Sequence, residues 1–354
     1  MGKRVTIYDV AKELGVSTAT VTRALNNKGE ISEATRKNVI EAAKRIGYRV
    51  NPNARSLARA PIHINFLIQN TTPSFHDEII SGVTYQLSKL RDNNVSGDVC
   101  VLRGDDMDIN DQYIQHLQRQ LEEKPDGVVL LSSSQTEETY KLISQMSEAG
   151  IKVALVNSDL PGSGRLCCCR QDAVLAGKMA AELLHRMTPS GKVLVFTGHK
   201  SVVDHASSAA GFCEECERRG MRVITVCENH DDYDFAAYNA ERLLRQHPDV
   251  EGIYINTANS VAVCKKLKEM NLHGKISVVA SDVFKELDDM MRENVIQATI
   301  FQDPFRQGRT AVKQLYRSIC FGEEVPSDIL ICPQIVMQSN LAEYIYYDKT
   351  GVSG

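Results

Sequence analysis

Eight short apolar runs recur at residues 63–69, 98–102, 127–131, 152–157, 192–197, 222–227, 252–256 and 276–281. Between several of them lie stretches with apolar residues at helical spacing, such as 113–121, 173–184 and 235–245. Strand–helix alternation of this kind predicts parallel sheets covered by helices on both faces. Eight strands exceed one comfortable sheet, and Asp159-Leu160-Pro161-Gly162-Ser163-Gly164 breaks the series halfway. The pattern therefore predicts an α/β body of two doubly wound lobes with a cleft between them. Ligands of such sheets sit beyond the carboxyl ends of the strands. That rule singles out Asn157, Thr257, Asp282 and Gln302, with Phe75 in the loop after the first run. Taken singly, each polar residue could equally be a helix cap or turn former. Their recurrence at strand ends in both lobes favours ligand contact.

The first fifty residues follow a different rule. Thr6 followed by Asp9 has the spacing of a capping box at a helix start, and Ile7, Val10, Ala11 and Leu14 then share one face. Gly15-Val16 turns the chain, and Ser17 can cap a second helix that buries Val21, Ala24 and Leu25. This leaves Thr18, Ala19, Thr22, Arg23 and Asn26 turned outward. Ser32 can cap a third helix ending at Gly47. Two short helices joined by a tight turn suit the DNA major groove. The outward face holds short hydroxyls, one arginine and no acid, as close approach to phosphates and base edges requires. A plain packed surface would mix long residues of both signs.

Asn51-Pro52 interrupts the third helix, because proline disfavours helical geometry in the residue before it. Residues 53–59 then combine helix-forming residues with Arg55 and Arg59 around one large apolar side chain, Leu57. An isolated segment this short is unstable as a helix, and DNA with a partner chain would order it. A leucine between arginines suits the minor groove, where apolar side chains wedge between base steps.

Charge supports this division. Residues 1–59 hold 12 Lys and Arg against 5 Asp and Glu, whereas the remainder holds 29 against 40. A basic head favours phosphates, and an acidic body avoids indiscriminate DNA binding. No apolar run approaches the roughly 18 residues of a membrane span, and the N-terminus lacks an apolar signal core. The expectation is a cytoplasmic protein without membrane contact, its ten cysteines reduced. Cys213 and Cys216 fall in a helical stretch without a second pair at zinc spacing, and Cys167-Cys168-Cys169 reads as a strand. No G-x-S-x-G, Walker loop or His-rich metal motif occurs, so neither catalysis, a cofactor nor a metal is expected. Asp105-Asp106 and Asp231-Asp232 read as solvated loop acids. The competing reading is an intracellular sugar-binding or sugar-processing protein with an incidental DNA-binding head.

Three motifs carry a resemblance: Thr6-Ile7-x-Asp9-Val10-Ala11, Gly15-Val16-Ser17-x-x-Thr20-Val21-x-Arg23-x-Leu25-Asn26 and Asn53-Ala54-Arg55-Ser56-Leu57-Ala58. Together they resemble the lac repressor/galactose repressor (LacI/GalR) family. The resemblance implies a homodimeric, sequence-specific transcriptional regulator, a repressor, bound to a near-palindromic double-stranded operator. It also implies an effector body similar to a periplasmic sugar-binding protein, responding to a small carbohydrate-like ligand. Positions matching Thr18, Ala19 and Arg23 read bases in the family, and the position matching Leu57 intercalates from a hinge helix. The implied DNA-contacting set is Tyr8, Ser17, Thr18, Ala19, Thr20, Thr22, Arg23, Asn26, Arg55, Leu57 and Arg59. Positions matching Phe75, Asn157, Asp282 and Gln302 contact the effector, with Ser208 and Thr257 as further candidates.

Four positions depart from the family pattern. Thr22 replaces the usual serine and keeps the hydroxyl. Ala19 can offer a base only apolar contact. Ser208 stands where the family often has a ligand-binding arginine, and Ala258 where it has an acid or amide; both changes weaken the expectation of an ordinary aldose. The expected limits are a DNA-binding domain at 1–50, a hinge at 51–60, a two-lobed effector and dimerisation body at 61–347 and a tail at 348–354. The segment after Ala342 shows no heptad helix, so a tetramer-forming extension is not expected.

Overall fold

A computed structural model of the chain describes residues 5–25, 31–48, 60–70, 73–103, 109–131, 136–257 and 259–345. Two compact units divide the chain, the first ending at Pro61 and the second beginning at Ile62, with the short segment Leu90–Asn94 counted with the first.

The head contains α1 (Ile7–Leu14), α2 (Thr18–Leu25) and α3 (Glu33–Arg45). Thr6 donates to Asp9 Oδ2 from both its backbone N–H and its hydroxyl, each at 2.7 Å, so the start of α1 is fixed as its capping spacing predicts. Gly15 ends that helix in the left-handed region at φ 64°, and Val16 N–H donates back to the Ala11 carbonyl. A residue with a Cβ would be strained there, which makes glycine the natural helix stop. Ser17 Oγ accepts from Thr20 N–H at 3.1 Å and starts α2. Ser32 does the same for α3 through Thr35. Val10, Ala11, Val21, Ala24, Val39 and Ala43 form the buried centre. These side chains are small, so the three helices can approach closely with few residues.

The body begins with β1 (Ile62–Gln69), α4 (Pro73–Leu90), β2 (Val95–Ser96), β3 (Val99–Leu102), α5 (Ile109–Glu123), β4 (Gly127–Leu131), α6 (Glu137–Glu148), β5 (Lys152–Val156) and β6 (Cys167–Gln171). It continues through α7 (Ala173–Met187), β7 (Lys192–Thr197), α8 (Val203–Arg218), β8 (Arg222–Glu228), α9 (Tyr233–Gln246), β9 (Gly252–Ile255), α10 (Ser260–Glu269), β10 (Ser277–Ser281), α11 (Leu287–Arg292) and β11 (Ala298–Phe301). The described chain closes with α12 (Pro304–Phe321), β12 (Asp328–Ile331), β13 (Gln334–Val336) and α13 (Ala342–Ile345). A seven-stranded sheet orders β12-β6-β5-β4-β1-β2, with β3 also on β1, and a six-stranded sheet orders β13-β11-β10-β9-β7-β8. Every described pairing between named strands is parallel except β11 with β13.

Alternation along the second sheet shows why both faces are covered. Leu194 and Phe196, Ile253 and Ile255, and Val278 and Ala280 enter one core, shared with α9, α10 and α11. Val193, Val195, Tyr254 and Val279 enter the opposite core, under α7 and α8. In the first sheet Leu67, Leu130 and Leu155 meet Tyr113, Leu117, Leu142 and Ile143 from α5 and α6.

All eight expected strands are present. The expected boundary between lobes is not. The turn at 159–164 lies within the first lobe, pinned by Arg165 Nε donating to Asp159 Oδ1 at 2.5 Å, and β6 after it still joins the first sheet. The chain passes to the second sheet only after Gln171, because Cys167–Gln171 pairs in parallel with β5 and extends that sheet. It returns through α12 to β12 and crosses again to β13. The strands β2, β11, β12 and β13 are too short or too mixed in polarity to have been read as apolar runs.

Helices α7 and α8 meet at two glycines. A Cβ on Gly177 would lie 2.0 Å from the Ser208 carbonyl oxygen, and one on Gly211 would lie 2.4 Å from that of Val174. Both obstacles are backbone and cannot rotate away. Gly177→Ala should therefore destabilise the protein by about 1–3 kcal/mol through overpacking, despite alanine's better helix propensity. Chemical denaturation would detect this; an unchanged midpoint would show that the helices can shift apart freely.

Candidate functional site

Parallel strands bring their carboxyl ends to one edge of each sheet, and polar residues follow nearly every strand of the second lobe there: Asn229, Asn256, Asp282 and Gln302. Asp282 lies in the left-handed region at φ 66°. Its N–H donates to the Ile300 carbonyl, and its own carbonyl accepts from Thr299 Oγ1 at 2.7 Å. These bonds to β11 hold the backbone and so aim the side chain. Gln302 Nε2 donates to Asp282 Oδ2 at 2.7 Å, while Oδ1 is buried without a hydrogen-bond partner. Burial raises the Asp282 carboxyl to about 7, opposed by the bonds from Gln302.

A buried line of hydroxyls runs beneath it. Ser208 is 2% exposed and its Oγ lies 2.8 Å from Tyr254 Oη. Tyr254 also engages Ser281, and its ring stacks on Phe212 at 4.9 Å. Ser208 thus takes part in the floor that supports Asp282, with its hydroxyl already occupied. The structure therefore places Ser208, expected as an effector contact, on α8 in a buried pair with Tyr254. Thr257 is likewise buried and donates from Oγ1 to Asp231 Oδ1. Asp231, expected to be a solvated loop acid, therefore has a specific partner.

Further buried atoms without a hydrogen-bond partner lie at the same edge: Asn256 Oδ1 and Thr197 Oγ1. Asn256 Nδ2 is anchored to the His205 carbonyl at 3.0 Å. Unsatisfied buried polar atoms are uncommon in folded proteins, and Asn256 and Thr197 stand at the carboxyl ends of β9 and β7, in the same sheet as β10. Sequence reading missed Tyr254, Asn256 and His205 because the first two sit inside an apolar run and the third inside a helix. In the first lobe Phe75 is partly buried at the start of α4, its ring edge-on to His76 at 5.7 Å. Asn157 follows β5 in the left-handed region at φ 63°. Asn70 follows β1 with Nδ2 on Asp77 and Oδ1 unpartnered. A groove of about 720 Å³ on α5 and α6 is lined by Gln118, Glu122, Glu138 and Lys141 and by none of these residues.

Among the described residues one ion pair joins the lobes directly. Arg170 on β6 donates from Nη1 to Asp204 Oδ1 on α8 at 2.8 Å, with both side chains largely buried. Burial lifts the Asp204 carboxyl to about 6, although Arg170 pulls it down.

In the head, Ala19, Thr22 and Arg23 are exposed on α2, as is its capping residue Ser17, and Thr18 and Thr20 are partly buried. Thr22 Oγ1 donates to the Thr18 carbonyl at 2.8 Å, leaving its oxygen lone pairs and methyl outward. Thr20 is spent on the Ser17 cap. Tyr8 on α1 is 72% exposed. Asn26, Arg55, Leu57, Arg59 and Ala258 lie outside the described residues. Among the described residues no helix is long and apolar enough to cross a membrane.

The architecture defines a helix-turn-helix head followed by a body of the periplasmic-binding-protein type. Residues 6–51 match the model for bacterial regulatory proteins of the lacI family, and residues 64–324 match the periplasmic binding protein domain. The chain belongs to the lacI family of DNA-binding transcriptional regulators. It is 24% identical to catabolite control protein A of Priestia megaterium over 345 residues, covering 93% of this chain and 96% of that protein. It is 26% identical to the ribose operon repressor of Escherichia coli K12 over 321 residues, covering 89% and 93% of the two chains. The body shares its fold with GanP, a glucose-galactose binding protein of Geobacillus stearothermophilus, at a TM-score of 0.71 and 21% identity. That match covers 80% of this chain and 99% of the other.

The raised carboxyls predict a pH dependence. Between about pH 4 and 7 the folded protein keeps a proton on Asp282 that the unfolded chain has lost, and that contribution to stability disappears as pH rises through 7. Asp204 adds the same trend up to about pH 6. Asp282→Asn should flatten the fall in melting temperature between pH 5 and 8, and should melt higher than wild type at pH 8. Parallel melting curves for the two proteins across this range would remove Asp282 as the source.

Proposed function

We propose that this regulator is a homodimeric repressor whose operator affinity is set by a small polyhydroxylated ligand, a sugar or sugar derivative, bound at the strand ends. The observation that carries the reading is Asp282. One oxygen is held by Gln302 and the other, buried, has no donor. A ligand hydroxyl would supply that donor, and charge-assisted bonds to a carboxylate are the strong ones. Phe75 would face the apolar side of a sugar ring, with Asn157 and Gln302 bonding its hydroxyls. Thr257, already committed to Asp231, would act through that acid. The ribose and glucose-galactose named for the relatives are consistent with this class. The Ser208–Tyr254 pair in place of an arginine favours a neutral ligand over an anionic one.

The proposed domain limits are 1–50 for DNA binding, 51–60 for the hinge and 61–347 for the effector body. Arg23 and Thr22 would meet base edges and phosphate, Tyr8 and Ser17 the backbone, and Leu57 the minor groove. A single short helix reads too few base pairs for specificity, so two copies on a near-palindromic operator are required. Arg23→Ala should cost about 1–3 kcal/mol in operator affinity and relax preference at one position per half-site. Selection of bound sites from fragmented genomic DNA would measure this, and unchanged discrimination would take Arg23 out of the reading role.

A ligand alters DNA affinity only by its preference for one body conformation, typically about 1–3 kcal/mol. A thermal-shift screen of sugars, phosphosugars and nucleosides should identify it. With Asp282→Ala the ligand response should vanish while ligand-free operator binding persists. If the variant responds as wild type does, the ligand lies elsewhere. If phosphosugars alone bind, the neutral-ligand reading fails.

A further inference from the structure

We infer that His199, Glu228 and His230 form a binding site for a first-row divalent cation, with Zn²⁺ the best match to its donors. The three donor atoms lie within 4.8 Å of one another on the second lobe. His199 follows Gly198 after β7, Glu228 is the last residue of β8, and His230 comes two positions later. Thr197 and Glu228 are register partners on these neighbouring parallel strands, so the sheet itself brings the two loops together. His230 Nδ1 lies 3.4 Å from His199 Nδ1 and 3.6 Å from Glu228 Oε1. Tetrahedral coordination with metal–ligand bonds of about 2.0–2.2 Å separates its donors by roughly 3.3–3.6 Å. The two separations are therefore those of edges of a zinc coordination tetrahedron. Two imidazoles and one carboxylate are a donor set that zinc accepts, with the fourth position left to water.

The surroundings hold these side chains in place. Glu228 Oε1 accepts from the Lys200 N–H at 2.8 Å, which orients the carboxylate from the loop that carries His199. The His230 ring stacks on Phe235 at 5.8 Å. Gly198 permits the close approach of the loops: a Cβ there would lie 2.4 Å from the His205 ring and 2.6 Å from Asp231 Oδ1. His230 and Asp231 both adopt left-handed backbone at φ 54° and 55°, an unusual pair for non-glycine residues. His199 and His230 are exposed, so a cation has direct access from solvent. No local histidine motif announces the site, because its donors come from two strand ends separated by α8.

A bound cation would tie the β7–α8 loop to the β8–α9 loop. Asp231 follows His230 directly and accepts from Thr257, so the cation would fix that acid at the ligand-facing edge. The site itself does not depend on the ligand reading; it requires only the three donors.

The test uses the full chain after treatment with a chelator and dialysis. Calorimetric titration should show one Zn²⁺ per chain, and Co²⁺ should give tetrahedral visible bands without thiolate charge transfer. His199→Gln and His230→Gln should each weaken uptake by about tenfold or more, with circular dichroism unchanged. Glu228→Gln should weaken it less, because an amide oxygen can still accept from Lys200. Thiolate charge transfer would assign uptake to cysteines and overturn the site. Absence of stoichiometric uptake, or equal uptake by the doubly substituted protein, would mean a hydrogen-bonded cluster only, and would also overturn it.

Discussion

Parallel pairing is the constraint from which the body's chemistry follows. Each crossover starts where a strand ends, so every strand in a parallel sheet delivers its last residue to the same edge. Both faces of the sheet are taken up by helices, and that edge is where polar groups can gather without entering a core. Asp282, Gln302, Asn256, Thr257 and Asn229 all arrive there by this geometry rather than by closeness in sequence. Buried hydroxyls of Ser208 and Tyr254 then support the edge from below.

The cost of this arrangement is visible in the groups themselves. A carboxyl raised to about 7 and another raised to about 6 are desolvated acids with too few donors. The protein tolerates them because each has one strong partner, Gln302 for Asp282 and Arg170 for Asp204. Arg170 and Asp204 belong to different lobes, so the stability of that pair depends on how the lobes face one another. The Asp282 pair lies within one lobe and depends on no such alignment.

Much of this was legible in the sequence. The capping box at Thr6, the glycine stop at Gly15 and the Ser17 cap are local devices, and local chemistry determines them. Parallel strands covered by helices read as continuous apolar runs, and all eight were visible, although β3 and β8 are only partly buried. What stayed hidden depended on contacts distant along the chain. Ser208 reads as a lost arginine, and its pairing with Tyr254, forty-six residues away, shows only in the fold. Asp231 reads as a loop acid until Thr257 is placed beside it. The division between lobes was misplaced because a Pro-Gly turn resembles a boundary, while only strand pairing shows that β6 still extends the first sheet.

The chain passes between the two sheets three times, after β6, after β11 and between β12 and β13. Neither lobe is therefore a continuous stretch of sequence. No single cut releases one, and no contiguous exchange with a relative transplants one intact. A recombinant chimera made at one junction would combine strands of both lobes from each parent. Ligand preference in such a body can drift residue by residue along the shared edge far more readily than it can be acquired as a block.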